Sequence, residues 1–119
     1  MDDEKSVTLL TCSGISHTGK LTTQAAHALR QRNPSLIARH LKLTALHHAL
    51  EKEMEGEDYL VVVDGCEECC AKKRTEGIGI DPDIYIVATR EGIVKRGLEE
   101  VRYDEIETLS QAISQKIKK

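Results

Sequence analysis

Five apolar residues in a row, Tyr59 to Val63, run straight into Asp64-Gly65-Cys66, and Cys69 and Cys70 follow at once. No other stretch constrains the fold as much. A short unbroken apolar run with three valines reads as a strand buried on both faces, as in parallel sheets covered by helices. Asp64 and Gly65 break the run, and the segment from Cys66 to about Glu76 reads as a helix that Asp64 caps. The thiols then stand at a strand-to-helix switch. That is the carboxyl edge of a parallel sheet, where open α/β folds place ligands. The remaining cysteine, Cys12, follows an earlier apolar run, Val7 to Leu10. If those two strands are parallel, all four sulfurs can meet at one edge.

The rest of the chain alternates in the same way. Val7 to Cys12 predicts the first strand, and Ser13 to Lys20 a loop with Gly14 and Gly19. Leu21, Ala25, Ala28 and Leu29 recur at helical spacing, which predicts a helix from Thr18 to Arg32. Asn33-Pro34 ends it, since proline cannot continue the hydrogen-bond ladder. A weak strand follows at Ser35 to His40, then a helix marked by Leu43, Leu46, Ala49, Leu50 and Met54 and closed at Gly56. After the cysteines, Gly77, Gly79 and Pro82 mark a loop, and Ile84 to Ala88 a fourth strand. The stretch from Thr89 to Arg102 is irregular, with a turn at Glu91-Gly92. Asp104 with Glu107 fits the start of a terminal helix, whose apolar face is Ile106, Leu109, Ile113 and Ile117. Strand and helix thus alternate four times. The expected fold is a single α/β domain over residues 1–119: a three-layer sandwich with a mostly parallel sheet of about four strands and helices on both faces.

Charge and composition remove several function classes. The chain has 17 basic and 20 acidic residues, a net charge of −3, and its only aromatic residues of the Phe, Trp and Tyr kind are three tyrosines. There is no basic excess for a phosphate backbone and no supply of stacking platforms, so no nucleic-acid partner is expected. No apolar run approaches the ~18 residues of a membrane span. The opening MDDEKS has no signal-peptide pattern, so the expected location is cytoplasmic. In that compartment, grouped cysteines read as metal ligands or catalytic thiols before disulfides.

The spacing favours a metal. On a helix, Cys66 and Cys70 would share one face, with Cys69 beside them. Cys12 would add a thiolate from the neighbouring strand end. Zinc takes tetrahedral sulfur and nitrogen ligands, so Cys69 or His17 would complete the set. An iron–sulfur cluster uses the same ligand type, and ligand type alone does not separate the two. Glu67 and Glu68 raise the thiol pKa values, and a divalent cation reverses that balance. A lone cysteine at a strand end would be small apolar filler; three in five residues resist that reading. The rival from another class is thiol redox or sulfur transfer, with Cys69 or Cys70 forming a disulfide or persulfide with Cys12 or Cys66. The histidines at 27, 40, 47 and 48 form no constellation.

TCSG at Thr11 to Gly14, together with DGCEECCAKK at Asp64 to Lys73, resembles the DGC-motif proteins, named for the Asp-Gly-Cys that stands here as Asp64, Gly65 and Cys66. The likeness runs from the first strand to IYIVA. The resemblance implies a small α/β protein with metal-binding, zinc-type cysteines, carried over to Cys12, Cys66 and Cys70, in a family described as having four cysteines. It implies no reaction.

One other loop carries a signal. GISHTGKL, Gly14 to Leu21, follows a strand, opens a helix and nearly matches the phosphate-binding pattern G-x4-G-K-[ST]. VVVD, ending in Asp64, resembles the strand that holds magnesium in such proteins. Leu21, however, stands where a hydroxyl must reach the magnesium, so nucleotide hydrolysis is disfavoured. A small-anion site built from the amides of Gly14 and Gly19 and from Lys20 is the surviving version. A phosphatase loop would need Arg six residues after Cys12, where Thr18 stands.

Overall fold

The structure is a computed structural model that describes residues 7–43 and 59–118. The helix expected through Leu46 and Met54, with His47 and His48, lies outside the described residues. Strands β1 (Val7–Thr11), β2 (Ile37–Lys42), β3 (Tyr59–Asp64) and β4 (Ile84–Val87) form one sheet in the order β2-β1-β3-β4. Every pairing is parallel. Helices α1 (His17–Arg32), α2 (Cys70–Gly77) and α3 (Tyr103–Lys118) complete the described fold, with one 3-10 turn at Ala88–Glu91. The chain winds from β1 outward to β2, then returns to the other side of β1 with β3. Winding therefore reverses between β1 and β3, and the crevice at their carboxyl ends is where such a sheet takes a ligand.

Both faces of the sheet are covered, which accounts for the unbroken apolar runs. Val7, Leu9, Val61, Val63 and Ile86 pack with Leu21, Ala25 and Leu29 of α1 and with Leu109 and Ile113 of α3. Leu10, Leu60 and Val62 point the other way, onto Ala71 of α2, with Leu41, Ile80 and Tyr85 around them. Period-two alternation along β3 thus serves two cores. In β2 it is broken by a register shift opposite Val7/Thr8. Ile37 and Leu41, an even number of residues apart, therefore end up on opposite faces, in different cores.

Three elements start two or more residues away from where the sequence predicts. Strand β2 runs two residues later than expected. The terminal helix starts around Arg102 rather than Asp104: the Arg102 amide donates to Glu105 Oε1 at 2.9 Å, the reach-back of a capping box. The cysteine helix begins at Cys70 and not at Cys66. Among the described residues, no helix is long and apolar enough to cross a membrane.

Glu105 fastens the irregular stretch to the sandwich. Its carboxylate takes Arg96 at 2.9 and 3.1 Å and His17 Nε2 at 2.9 Å. The His17 amide bonds Gly97 O at 2.8 Å, so residues 96–105 are tied to the first turn of α1. The Arg96 guanidinium, aided by His17 and the Arg102 amide, holds the Glu105 carboxyl down to about 2. A depressed carboxyl contributes stability above its unfolded value near ~4.3, lost as pH falls toward the folded value. Glu105→Gln should therefore be less stable at neutral pH by about 1–3 kcal/mol. It should also lose less between pH 5 and 2 than the parent protein. Denaturant midpoints across that range check this, and parallel acid profiles for the two proteins would contradict it.

Candidate metal centre

The four cysteines follow the carboxyl ends of β1 and β3, which are neighbours in the sheet. Cys12 comes directly after β1, and its amide bonds Val63 O at 3.2 Å. Its sulfur accepts the Gly65 amide at 3.3 Å and lies 3.8 Å from Thr22 Oγ1. Cys66 to Cys69 form a turn closed by Cys69 N–H to Cys66 O at 3.2 Å. Cys12, Cys66 and Cys69 are half-buried, Cys70 is exposed, and all four are free thiols.

Asp64 builds this turn. It is 1 % exposed, and its carboxylate accepts the Ala71 amide at 2.8 Å and the Lys72 amide at 3.1 Å. Those are two of the orphan donors of α2, and a side chain six residues before the helix satisfies them. The expected capping role of Asp64 is therefore present. Cys69, at the usual capping position, is left-handed with φ 55° and makes no side-chain cap. A helix cannot pass through that conformation, so Cys66 and Cys70 do not share a helical face as their spacing predicts. Ser13, next to Cys12, is the other non-glycine residue with positive φ among those described, at 47°. Left-handed non-glycine backbone costs roughly 1–3 kcal/mol and persists where its surroundings enforce it. Around Ser13 these are the Thr22 hydroxyl on its amide at 3.2 Å, Thr23 on its own hydroxyl at 2.7 Å, and Thr11, which also meets His40 at 2.8 Å.

Space accounts for two glycines. A Cβ on Gly65 would stand 2.8 Å from the backbone of Thr18, so this glycine lets the cysteine turn press against the first turn of α1. A Cβ on Gly19 would stand 2.6–2.8 Å from the backbone of Gly14. The glycines of the expected anion loop thus pack on each other. The Gly19 amide is taken by Ser16 Oγ at 3.2 Å. Lys20 Nζ lies 3.5 Å from Leu98 O and from Glu100. It borders an open cleft of about 270 Å³ lined by Lys20, Gln24, Glu100, Val101, Tyr103 and Ile106, with no thiol in its wall.

The electrostatics around the sulfurs are negative. Burial pushes the Cys12 thiol up, against the lowering effect of the Gly65 amide and the Thr22 hydroxyl. Partial desolvation of its sulfur raises the otherwise exposed Cys70 as well, followed by the charges of Asp64, Cys12, Glu68 and Cys66. Glu67 is held by Arg90 at 2.6 and 2.8 Å, and Lys95 lies 3.9 Å from Glu68. His17 is fully buried, with Nε2 on Glu105 and no partner for Nδ1 among the described residues. Among the described residues, no group of three or more His, Cys, Asp or Glu side chains is already gathered closely enough to hold a metal ion. The donor set nonetheless suits a thiophilic cation: four thiols free of disulfides, none sealed fully into the core, two of them beside the negative charge of Asp64, which such a cation would offset.

Tyr85 is a member of this neighbourhood that the sequence does not single out. Its phenol donates to Asp64 Oδ2 at 2.9 Å, and Lys72 Nζ lies 5.0 Å from its ring centre. IYIVA reads as a plain apolar run. The signal lies in its alternation, which sets Tyr85 on the face opposite Ile84 and Ile86.

Fold and edge define a class: a doubly wound parallel α/β protein whose cysteines follow two adjacent strands at the winding reversal. The sequence model of the DGC domain matches residues 8–113, and the chain belongs to that family. No significant match is found among curated proteins or among solved structures.

Proposed function

We propose that the protein binds a metal ion, zinc by preference, through Cys12, Cys66 and Cys70 with Cys69 as fourth ligand. The observation that carries the reading is positional. Four free thiols follow β1 and β3 where the winding reverses, and the Gly65 amide on the Cys12 sulfur joins the two segments. Membership of the DGC family supports it. Four thiolates would give zinc a closed tetrahedral shell, which suits a structural or metal-handling role; a displaced Cys69 would open one position for chemistry. Thiol redox or sulfur transfer is the weaker reading. A reactive cysteine needs a lowered pKa, and the surroundings of Cys12 and Cys70 act the other way.

Cys66→Ser should abolish zinc uptake or weaken it by about 100-fold, because a hydroxyl is a poor substitute for a thiolate on this ion. Isothermal titration of both proteins with zinc reads the difference. The same stoichiometry and affinity in the variant would refute this ligand set.

A further inference from the structure

We propose that Tyr85 is a positioning residue of this metal site, holding the Cys69–Cys70 corner in place through the Asp64 carboxylate. This role rests on the metal reading above and deepens it.

The register sets up the geometry. Tyr85 pairs with Val62 and Val87 with Asp64 across β3 and β4. Residues two apart share a face, so Tyr85 lies on the face of Asp64, two pairs further back along the sheet. A phenol is long enough to span that step, and its hydroxyl reaches Asp64 Oδ2 at 2.9 Å. The same oxygen takes the Lys72 amide, while Oδ1 takes Ala71. The phenol is thus a third donor on a carboxylate whose two oxygens each hold one helix amide. The carboxylate plane is then set, and with it the two amides that directly follow Cys69 and Cys70. Lys72 is held twice, by its amide on Asp64 and by its ammonium over the Tyr85 ring. Tyr85 therefore bears on the start of α2 twice, through the Asp64 carboxylate and through Lys72.

A tyrosine that merely filled the core would lose one hydrogen bond on conversion to phenylalanine, and metal binding would not notice. A positioning residue behaves differently. Partners one step removed from a metal typically change its affinity by about 10–100-fold when lost.

The test compares zinc affinity in the parent protein and in Tyr85→Phe, by competition with a chromophoric chelator. A second comparison uses the sulfur-to-metal charge-transfer band after cobalt loading. The expected result is at least about tenfold weaker zinc binding in Tyr85→Phe, with a weaker band reporting fewer fixed thiolates. A measurement free of any variant stands beside it: zinc added to the parent protein should shift the Tyr85 ring resonances and leave those of the exposed Tyr103 in place. Equal zinc affinity and equal bands in the two proteins, or unmoved Tyr85 resonances on zinc binding, would overturn the positioning role while leaving the metal site standing. A parent protein that takes up no zinc would overturn both, and that failure appears in its own arm of the experiment.

Discussion

Asp64→Ala should destabilise the protein by about 3 kcal/mol and unfasten the cysteine turn. The side chain is buried and accepts two helix-starting amides and a phenol. Losing a cap costs about 1 kcal/mol in an exposed helix. Here the deserted Ala71 amide is buried, and an unsatisfied buried donor adds about 1–3 kcal/mol, with smaller losses from the part-buried Lys72 amide and Tyr85 hydroxyl. Asn at this position should fall between Asp and Ala. It keeps one acceptor oxygen, but its NH₂ group meets N–H donors on the other side. Urea unfolding of the three proteins checks the order, and a loss below about 1 kcal/mol for Asp64→Ala would show that α2 does not depend on this carboxylate.

Gly65→Ala should cost about 2–3 kcal/mol through overpacking. The added methyl would meet the carbonyl carbon and oxygen of Thr18 and its Cβ, all at 2.8 Å. These atoms belong to the first turn of α1, which cannot step aside as the tip of a flexible side chain would. The displacement would also pull the Gly65 amide from the Cys12 sulfur. Gly77→Ala is the matched control. A Cβ there meets nothing within 4 Å, so it should be neutral or slightly stabilising. Thermal unfolding of the pair gives the answer: equal melting temperatures for both variants would contradict the close approach at Gly65.

Much of the fold was legible because the central strands β1 and β3 are buried on both faces. Continuous apolar runs at Val7–Leu10, Tyr59–Val63 and Ile84–Val87 suit strands sandwiched between helices, and the helical spacing of Leu21, Ala25 and Leu29 fixes what lies between the first two strands. The boundaries were less legible where a distant residue decides them. The spacing of Cys66 and Cys70 suits a helix, but the helix starts where Asp64 delivers its two acceptors, and a left-handed Cys69 cannot be read from residue type. Glu105 and Arg102 open α3 because Arg96 and His17 already hold Glu105 from elsewhere in the chain. Gly19 shows a different limit: it matches a phosphate-loop pattern, and only the structure shows that its lack of a side chain also serves contact with Gly14. The candidate site was legible as a set of sulfurs and as a position on the sheet. Its supporting carboxylate–phenol pair was only half legible, since Tyr85 depends on the register between β3 and β4.

The most direct test of the metal reading is the metal content of protein purified without chelator, measured by elemental analysis beside a count of reactive thiols before and after chelation. The account predicts about one zinc per chain and thiols that react only once the metal is removed. No metal, with four thiols reacting promptly, would contradict it.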